Sequence, residues 1–156
     1  MEIIVKEVTV KEILDIHKKI PEFSETPPSK FVEINNYQGK RKLVLEARFG
    51  KEAIGYMVAY DRFQDKSFYC WITGVIPSYR NHGALSAMMN YLFNWAKLNG
   101  YSKIKLKSRN IRREMNAYLV KRGFFFTSVE QRENIKDNRI SAECEIEDNF
   151  DFVAQV

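Results

Sequence analysis

The residues with the clearest chemical potential lie in Val75-Ile-Pro-Ser-Tyr-Arg-Asn-His-Gly-Ala-Leu85. An apolar run from Ser67 to Ile76 stops at Pro77 and passes Arg80 and Gly83 in a short loop. It then enters a segment whose apolar residues, Leu85, Met88, Met89, Leu92 and Trp95/Ala96, recur at helical spacing. The first turn of a helix leaves backbone N–H groups unpaired and carries the positive end of the helix dipole, so such a junction can bind phosphate. Gly83 lets an anion approach the backbone closely, and Arg80 adds a charge. The competing reading is a plain connecting turn. No GxxxxGK[ST] occurs and nothing matches GxGxxG, which excludes a nucleotide P-loop and a dinucleotide fingerprint.

Charge patterning singles out the same stretch. The chain of 156 residues carries a formal +5, but all 25 bases precede position 142, and Glu143, Glu145, Glu147, Asp148 and Asp151 make the tail acidic. Residues 1–142 hold 25 bases against 15 acids, a formal +10. From Lys66 to Arg113, 48 residues contain no acid and nine bases: Lys66, Arg80, Lys97, Lys103, Lys105, Lys107, Arg109, Arg112 and Arg113. Such a window is expected to face a polyanion.

Positioning these residues requires a folded domain, and the chain is long enough to build one over residues 1–156 without a metal or disulfide. Cys70 and Cys144 stand far apart in apolar surroundings with no CxxC or His pairing, so both read as buried reduced thiols and no metal site is expected. No apolar run approaches a membrane span, and MEIIVKEVTVKE lacks the pattern of a secretion signal, so the expected location is cytoplasmic, away from the membrane.

Ile3-Ile4-Val5 reads as a strand. Thr9 and Glu12 form a capping-box pattern ahead of a helix that ends before Pro21, and a second short helix starts at Ser29. Residues 42–49 alternate and, through Gly50-Lys51, pair with 53–60 as a β-hairpin. The run 67–76 suits a central strand covered on both faces. A helix from Gly83 to about Leu98 is closed by Asn99-Gly100. Strand 102–107, a helix from about Arg112 to Lys121 ending at Gly123, and strands near 124–131 and 139–147 complete the order. The expected class is α/β (α+β), a mixed sheet with helices on both faces.

Val-x-Pro-x-Tyr-Arg-x-x-Gly followed by Ser86-Ala-Met-Met resembles the acetyl-CoA-binding core of the GNAT superfamily of acyltransferases, whose pattern is [QR]-x-x-G-x-[GA] after the fourth strand. Asn110, Met115, Lys121, Gly123 and Phe124 resemble the family's next strand, helix and K-x-G-F closure, so the likeness runs over roughly 42–124. The resemblance implies a mostly antiparallel central sheet. It also implies that main-chain groups of Gly74, Val75 and Ile76 pair with pantetheine, that amides of Arg80, Asn81, His82, Gly83, Ala84 and Leu85 hold the pyrophosphate, and that Asn110 contacts the pantetheine arm or fixes the strand splay. Two positions depart from the pattern. Leu85 replaces the second small residue, and Leu119 stands where the family often has its general-acid Tyr, with Tyr118 turned by about 100° on the helix.

The implied activity is transfer of acetyl from acetyl-CoA to an amine acceptor by direct attack in a ternary complex, without a metal. Amine acetylation needs a base for the ammonium proton and an acid for the leaving thiolate. With no carboxylate in 66–113, base candidates are Glu46 and Asp61, with Glu33 behind them, and Tyr118 is the acid candidate. A backbone N–H near Val75 would polarise the thioester oxygen. Each has a bland counterpart. Glu46 reads as a solvated strand residue, Tyr118 as packing, His82 as an exposed loop residue, His17 as structural and Cys70 as too buried for a nucleophile. Lys103, Lys105 and Lys107 alternate as a solvated face would. Rival functions are a CoA-binding protein without transfer activity and a basic nucleic-acid-binding module, the latter with no recognisable motif. A homodimer stays open.

Overall fold

The computed structural model describes residues 2–35 and 40–147, the side chains of 32–35 excepted. The Glu33 side chain, Asp148 and Asp151 therefore lie outside the described part. The elements are β1 (Ile3–Glu7), α1 (Val10–His17), α2 (Pro28–Asn35), β2 (Lys42–Phe49), β3 (Glu52–Tyr60), β4 (Ser67–Val75), α3 (Ala84–Leu98), β5 (Lys103–Arg109), α4 (Arg113–Arg122), β6 (Phe125–Glu130) and β7 (Arg139–Glu145). Short 3₁₀ turns sit at Pro21–Phe23, Pro77–Tyr79 and Ile135–Asp137. The strand order is β1-β2-β3-β4-β5-β7-β6. β4 and β5 pair in parallel, whereas β1–β2, β2–β3, β5–β7 and β6–β7 are antiparallel, the mixed sheet that the alternating patterns imply.

The chain forms two compact units, Met1–Asp61 with Trp71–Leu92, and Arg62–Cys70 with Phe93–Val156, so β4 and α3 each contribute to both. In the first unit, helices cover both faces of the strands. Tyr56 of β3 bonds His17 of α1, and a side chain at the adjacent Gly55 would meet Met88 of α3, because successive strand residues point to opposite faces. Ile13, Ile16, Phe31, Leu43, Leu45, Ile54, Met57, Met88 and Met89 are buried there. The capping box does not form. Thr9 occupies the N-cap, but its side chain makes no cap bond, and the Glu12 N–H goes to the Thr9 carbonyl at 3.1 Å.

In the second unit β5 buries Ile104, Leu106 and Ser108 and turns Lys103, Lys105, Lys107 and Arg109 to the opposite face. Each of those four bases meets an acid: Glu143 at 2.8 Å, Asp65 at 2.8 Å, Glu130 at 2.8 Å, and Asp137. The acid-free window is thus acid-free only along the chain. Gly123, at φ 109°, ends α4 with Phe124 N–H bonded to the Leu119 carbonyl at 2.9 Å, and Leu119 and Phe124 are both buried. Phe125 and Phe126 are exposed, so of the three phenylalanines only Phe124 is core. Cys70 and Cys144 are free and buried, as expected.

One expectation fails inside β4. Ser67–Cys70 are buried, but Trp71–Gly74 are only partly covered before Val75 is buried again. Trp71 packs on Phe31 and Gly74 lies under Phe23, so both point to the α1/α2 side although they are three residues apart. Strict pleating puts residues of opposite parity on opposite faces, so the strand breaks its alternation between Trp71 and Gly74.

Candidate functional site

The strand–loop–helix junction has the local geometry its composition suggests. Ile76 N–H donates to the Ile54 carbonyl at 2.8 Å, anchoring the end of β4 on β3, and the 3₁₀ turn that follows is closed by Tyr79 N–H to Ile76 and Arg80 N–H to Pro77. The chain then turns left-handed twice, at Asn81 (φ 65°) and Gly83 (φ 91°). The first α3 ladder bond runs from Ala87 N–H to the Gly83 carbonyl at 3.0 Å, so the amides of Ala84 and Leu85 precede the ladder. Asn81, His82 and Gly83 are exposed, and a Cβ on Gly83 would meet nothing within 4 Å. Side-chain-free backbone at a helix start, with room in front of it, suits a phosphate.

Arg80 differs from expectation. Its side chain is not a spare charge for an anion. Nε donates to the Val75 carbonyl at 3.0 Å, and the two terminal nitrogens donate to the Glu22 carboxylate at 2.6 and 2.9 Å. Its own amide is taken by Pro77, and the Ile76 amide by Ile54, so neither serves a ligand as the resemblance implied. A pantetheine arm would have to use other main-chain groups of Gly74–Ile76. Glu22 and Phe23 belong to the Pro21–Phe23 turn. The Phe23 ring lies against Gly74 so closely that a Cβ there would overlap Cε2 and come within 2.9 Å of Cζ and 3.0 Å of Ile20 Cδ1.

An aromatic cluster adjoins this contact. His17 stacks on Phe23 at 5.7 Å and meets Phe31 edge-on at 4.8 Å; Phe31 meets Trp71 at 4.9 Å. His17 Nε2 lies 2.9 Å from the Thr26 carbonyl, which can only accept, so Nε2 carries the proton. In the neutral ring Nδ1 then accepts from the Tyr56 hydroxyl at 2.7 Å. Burial pushes the Tyr56 hydroxyl well above the usual phenol range, which keeps it a donor. His17 is the structural residue that its place beside the apolar stripe suggests.

Within the first unit the two described base candidates, Glu46 and Asp61, are not brought together. Glu46 is buried rather than solvated, with Arg48 Nη1 at 3.1 Å and Lys6 Nζ at 3.8 Å from its oxygens. It pairs in register with Tyr56, whose carbonyl accepts from Thr73 Oγ1 at 3.0 Å, so it stands level with Thr73 two strand spacings away, about 10 Å. Asp61 is at the wrong end of β3. Ile54 touches the β4 terminus, and Asp61 lies seven residues farther along, about 23 Å. In the second unit, Tyr118 is half-buried on α4 and Leu119 is fully buried. Asn110 is engaged locally: its N–H bonds Asn138 at 2.8 Å and its side-chain amide donates to the Ile135 carbonyl at 3.1 Å, pinning the β6–β7 connection. Burial pushes the Cys70 thiol up to about 12, leaving it protonated and a poor nucleophile.

Glu22 and Phe23 are what local sequence patterns miss. They sit in a Pro-dense loop and meet their partners across 58 residues for Glu22 and Arg80, a separation no spacing rule reports.

Residues 10–124 match the family model of the acetyltransferase (GNAT) family. The chain belongs to that family. The GNAT match contains the Val75–Leu85 junction and ends at Phe124, before β6 and β7. No protein of curated function matches the sequence. Solved structures share the fold. An IAA acetyltransferase from Bacillus cereus superposes with TM-score 0.76 at 16% identity, covering 92% of this chain and 99% of that one. Ard1 from Thermoplasma volcanium gives 0.77 at 15%, covering 93% and 98%, and a chain of the NatC complex bound to Gag peptide and CoA gives 0.76 at 17%, covering 93% and 99%. GNAT proteins use acetyl-CoA, and the open backbone at Gly83 fits its pyrophosphate. Among the described residues no group of His, Cys, Asp and Glu is arranged to hold a metal ion, and no helix is long and apolar enough to cross a membrane.

Proposed function

We propose that this GNAT chain, working as one domain over residues 1–156 in the cytoplasm, is an N-acetyltransferase. It moves the acetyl group of acetyl-CoA to an amine by direct attack in a ternary complex. The observation that carries the proposal is the Asn81–Leu85 backbone. Two left-handed residues lead into α3 at a point where the Gly83 Cβ position is open space and the next amides precede the helix ladder. Those amides hold the pyrophosphate, main-chain groups of Gly74 and Val75 guide the pantetheine arm, and an N–H of the same strand polarises the thioester oxygen. The amine nitrogen forms the new bond to the acyl carbon as the carbon–sulfur bond breaks. The ammonium proton leaves first, through water, to Glu46 as the base, with Asp61 and Glu33 as the other base candidates, and Tyr118 is assigned to return a proton to the thiolate.

Titration calorimetry with acetyl-CoA, followed by thiol release across small amines, polyamines, amino acids and peptides, tests this. Binding with turnover of at least one amine is expected, and absence of binding by the wild type overturns it. Leu119, buried where the family often carries its acid, favours a second reading: a CoA-binding protein without transfer activity, which would bind acetyl-CoA and release no thiol with any acceptor. The pairing of Arg80 and the four β5 bases with acids weighs against the nucleic-acid reading.

A further inference from the structure

We infer that Glu22 is a positioning residue for the donor loop, and that Arg80 acts as a strut rather than as a phosphate ligand. The Arg80 guanidinium uses three donors inside the first unit: Nε on the Val75 carbonyl at 3.0 Å and both terminal nitrogens on the Glu22 carboxylate at 2.6 and 2.9 Å. A two-pronged guanidinium–carboxylate contact fixes direction as well as distance. Arg80 is also the last residue before the left-handed Asn81, so the pair determines where the Asn81–Leu85 backbone begins. On the other side, Glu22 precedes Phe23, whose ring closes over Gly74. One ion pair therefore ties three things together: the end of β4, the start of the phosphate-facing loop, and the turn that covers β4. Three of the five guanidinium N–H donors, and the charge itself, are committed to a carboxylate and a carbonyl. The contribution of Arg80 to the donor is to hold amides in place.

This rests on the donor site proposed above, and the two fail differently. Acetyl-CoA affinity is measured by calorimetry for the wild type, Glu22→Ala, Glu22→Gln, Arg80→Ala and the Glu22→Ala/Arg80→Ala double variant, with melting temperature and hydrogen exchange of residues 20–26 and 81–85 recorded for each. Glu22→Ala and Arg80→Ala are expected to weaken binding alike, by about threefold to tenfold. The double variant is expected to bind no worse than either single one, since both remove the same strut. Glu22→Gln, which keeps the size and one acceptor, falls between. Exchange at 81–85 rises in Glu22→Ala without ligand. The inference is overturned if Glu22→Ala binds as tightly as the wild type or more tightly, which would make Arg80 a phosphate cation that Glu22 restrains, or if the losses add. Should the wild type fail to bind acetyl-CoA, the proposed function falls, and unchanged exchange at 81–85 in Glu22→Ala would separately overturn the strut.

Discussion

Gly83 and Gly100 offer a matched pair for testing where the donor's phosphates sit. Both hold positive φ, 91° and 86°, and a Cβ at either would meet nothing within 4 Å. Alanine at either position therefore carries the same backbone strain, about 1–2 kcal/mol, and no steric clash. In a chain of this size that lowers the melting temperature by about 2–8 °C in both variants. Even a domain with only about 5 kcal/mol of stability would keep about 3 kcal/mol, so more than about 99% of molecules stay folded at 25 °C. Binding losses then cannot be ascribed to unfolding. At Gly83 the new methyl occupies the space in front of the α3 amides, and losing one amide bond to a charged oxygen costs about 1.5–3 kcal/mol, or about ten- to hundredfold in affinity. Gly100 closes the other end of α3. Differential scanning fluorimetry and calorimetry with acetyl-CoA on both variants give the comparison. Equal melting shifts with a selective affinity loss in Gly83→Ala are expected; affinities within twofold of each other would refute the placement of the phosphate.

Gly74→Ala forces a methyl into the Phe23 ring and should cost about 1–3 kcal/mol in chemical denaturation. Adding Phe23→Ala should return part of that loss, and simple additivity would show that the two residues do not press on each other. Cys70→Ala should keep the turnover number, and a thiol reagent at pH 8 should label native protein only as fast as it unfolds; prompt labelling of Cys70 would contradict a thiol held near 12 by burial. Hydrogen bonds from Lys105 and Ser67 hold the Asp65 carboxyl well below the usual range, so its stabilising contribution is present above the unfolded carboxyl range and disappears as pH falls through the folded value. Asp65→Asn should therefore lower stability at pH 7 by no more than about 1 kcal/mol, given its exposure, with the gap to wild type closing in strong acid; a gap that widens in acid has the wrong sign. Glu46→Gln should reduce kcat by at least about tenfold at unchanged acetyl-CoA affinity, and an unaltered kcat would remove Glu46 as the base.

How much was legible depended on sequence distance. The hairpin, the central strand, α3 and the Gly123 stop follow from periodicity and turn residues within a dozen positions, and the donor loop is contiguous, so strand, glycine and helix start could all be read together. Glu46 was misread because alternation reports opposite faces without saying that both are covered; with α1 on one side and α3 on the other, a carboxylate on either face needs partners, and Arg48 and Lys6 supply them. The absence of acids in 66–113 points to Asp61 without saying which end of β3 meets β4; Ile54, not Asp61, bonds the residue that ends β4. The capping box failed because the Thr9 carbonyl took the bond that its side chain was expected to make.

The charge window shows the same limit in electrostatic form. A run of 48 residues without an acid suggests a surface waiting for a polyanion, yet a strand's neighbours in space are other strands. β7 brings Glu143 to Lys103, the β6 end brings Glu130 to Lys107, and the turn at Ile135–Asp137 brings Asp137 to Arg109. Asp65, one position outside the window, meets Lys105, and Glu22 meets Arg80. Five of the nine bases are thereby committed to carboxylates. With Arg80 paired, the junction itself offers a bound phosphate its oriented backbone, amide dipoles held by a left-handed loop and a helix start. Recognition of that kind depends on the position of the loop more than on the number of charges near it, and that is why the Arg80–Glu22 pair matters: its two charges cancel, and its geometry places the amides.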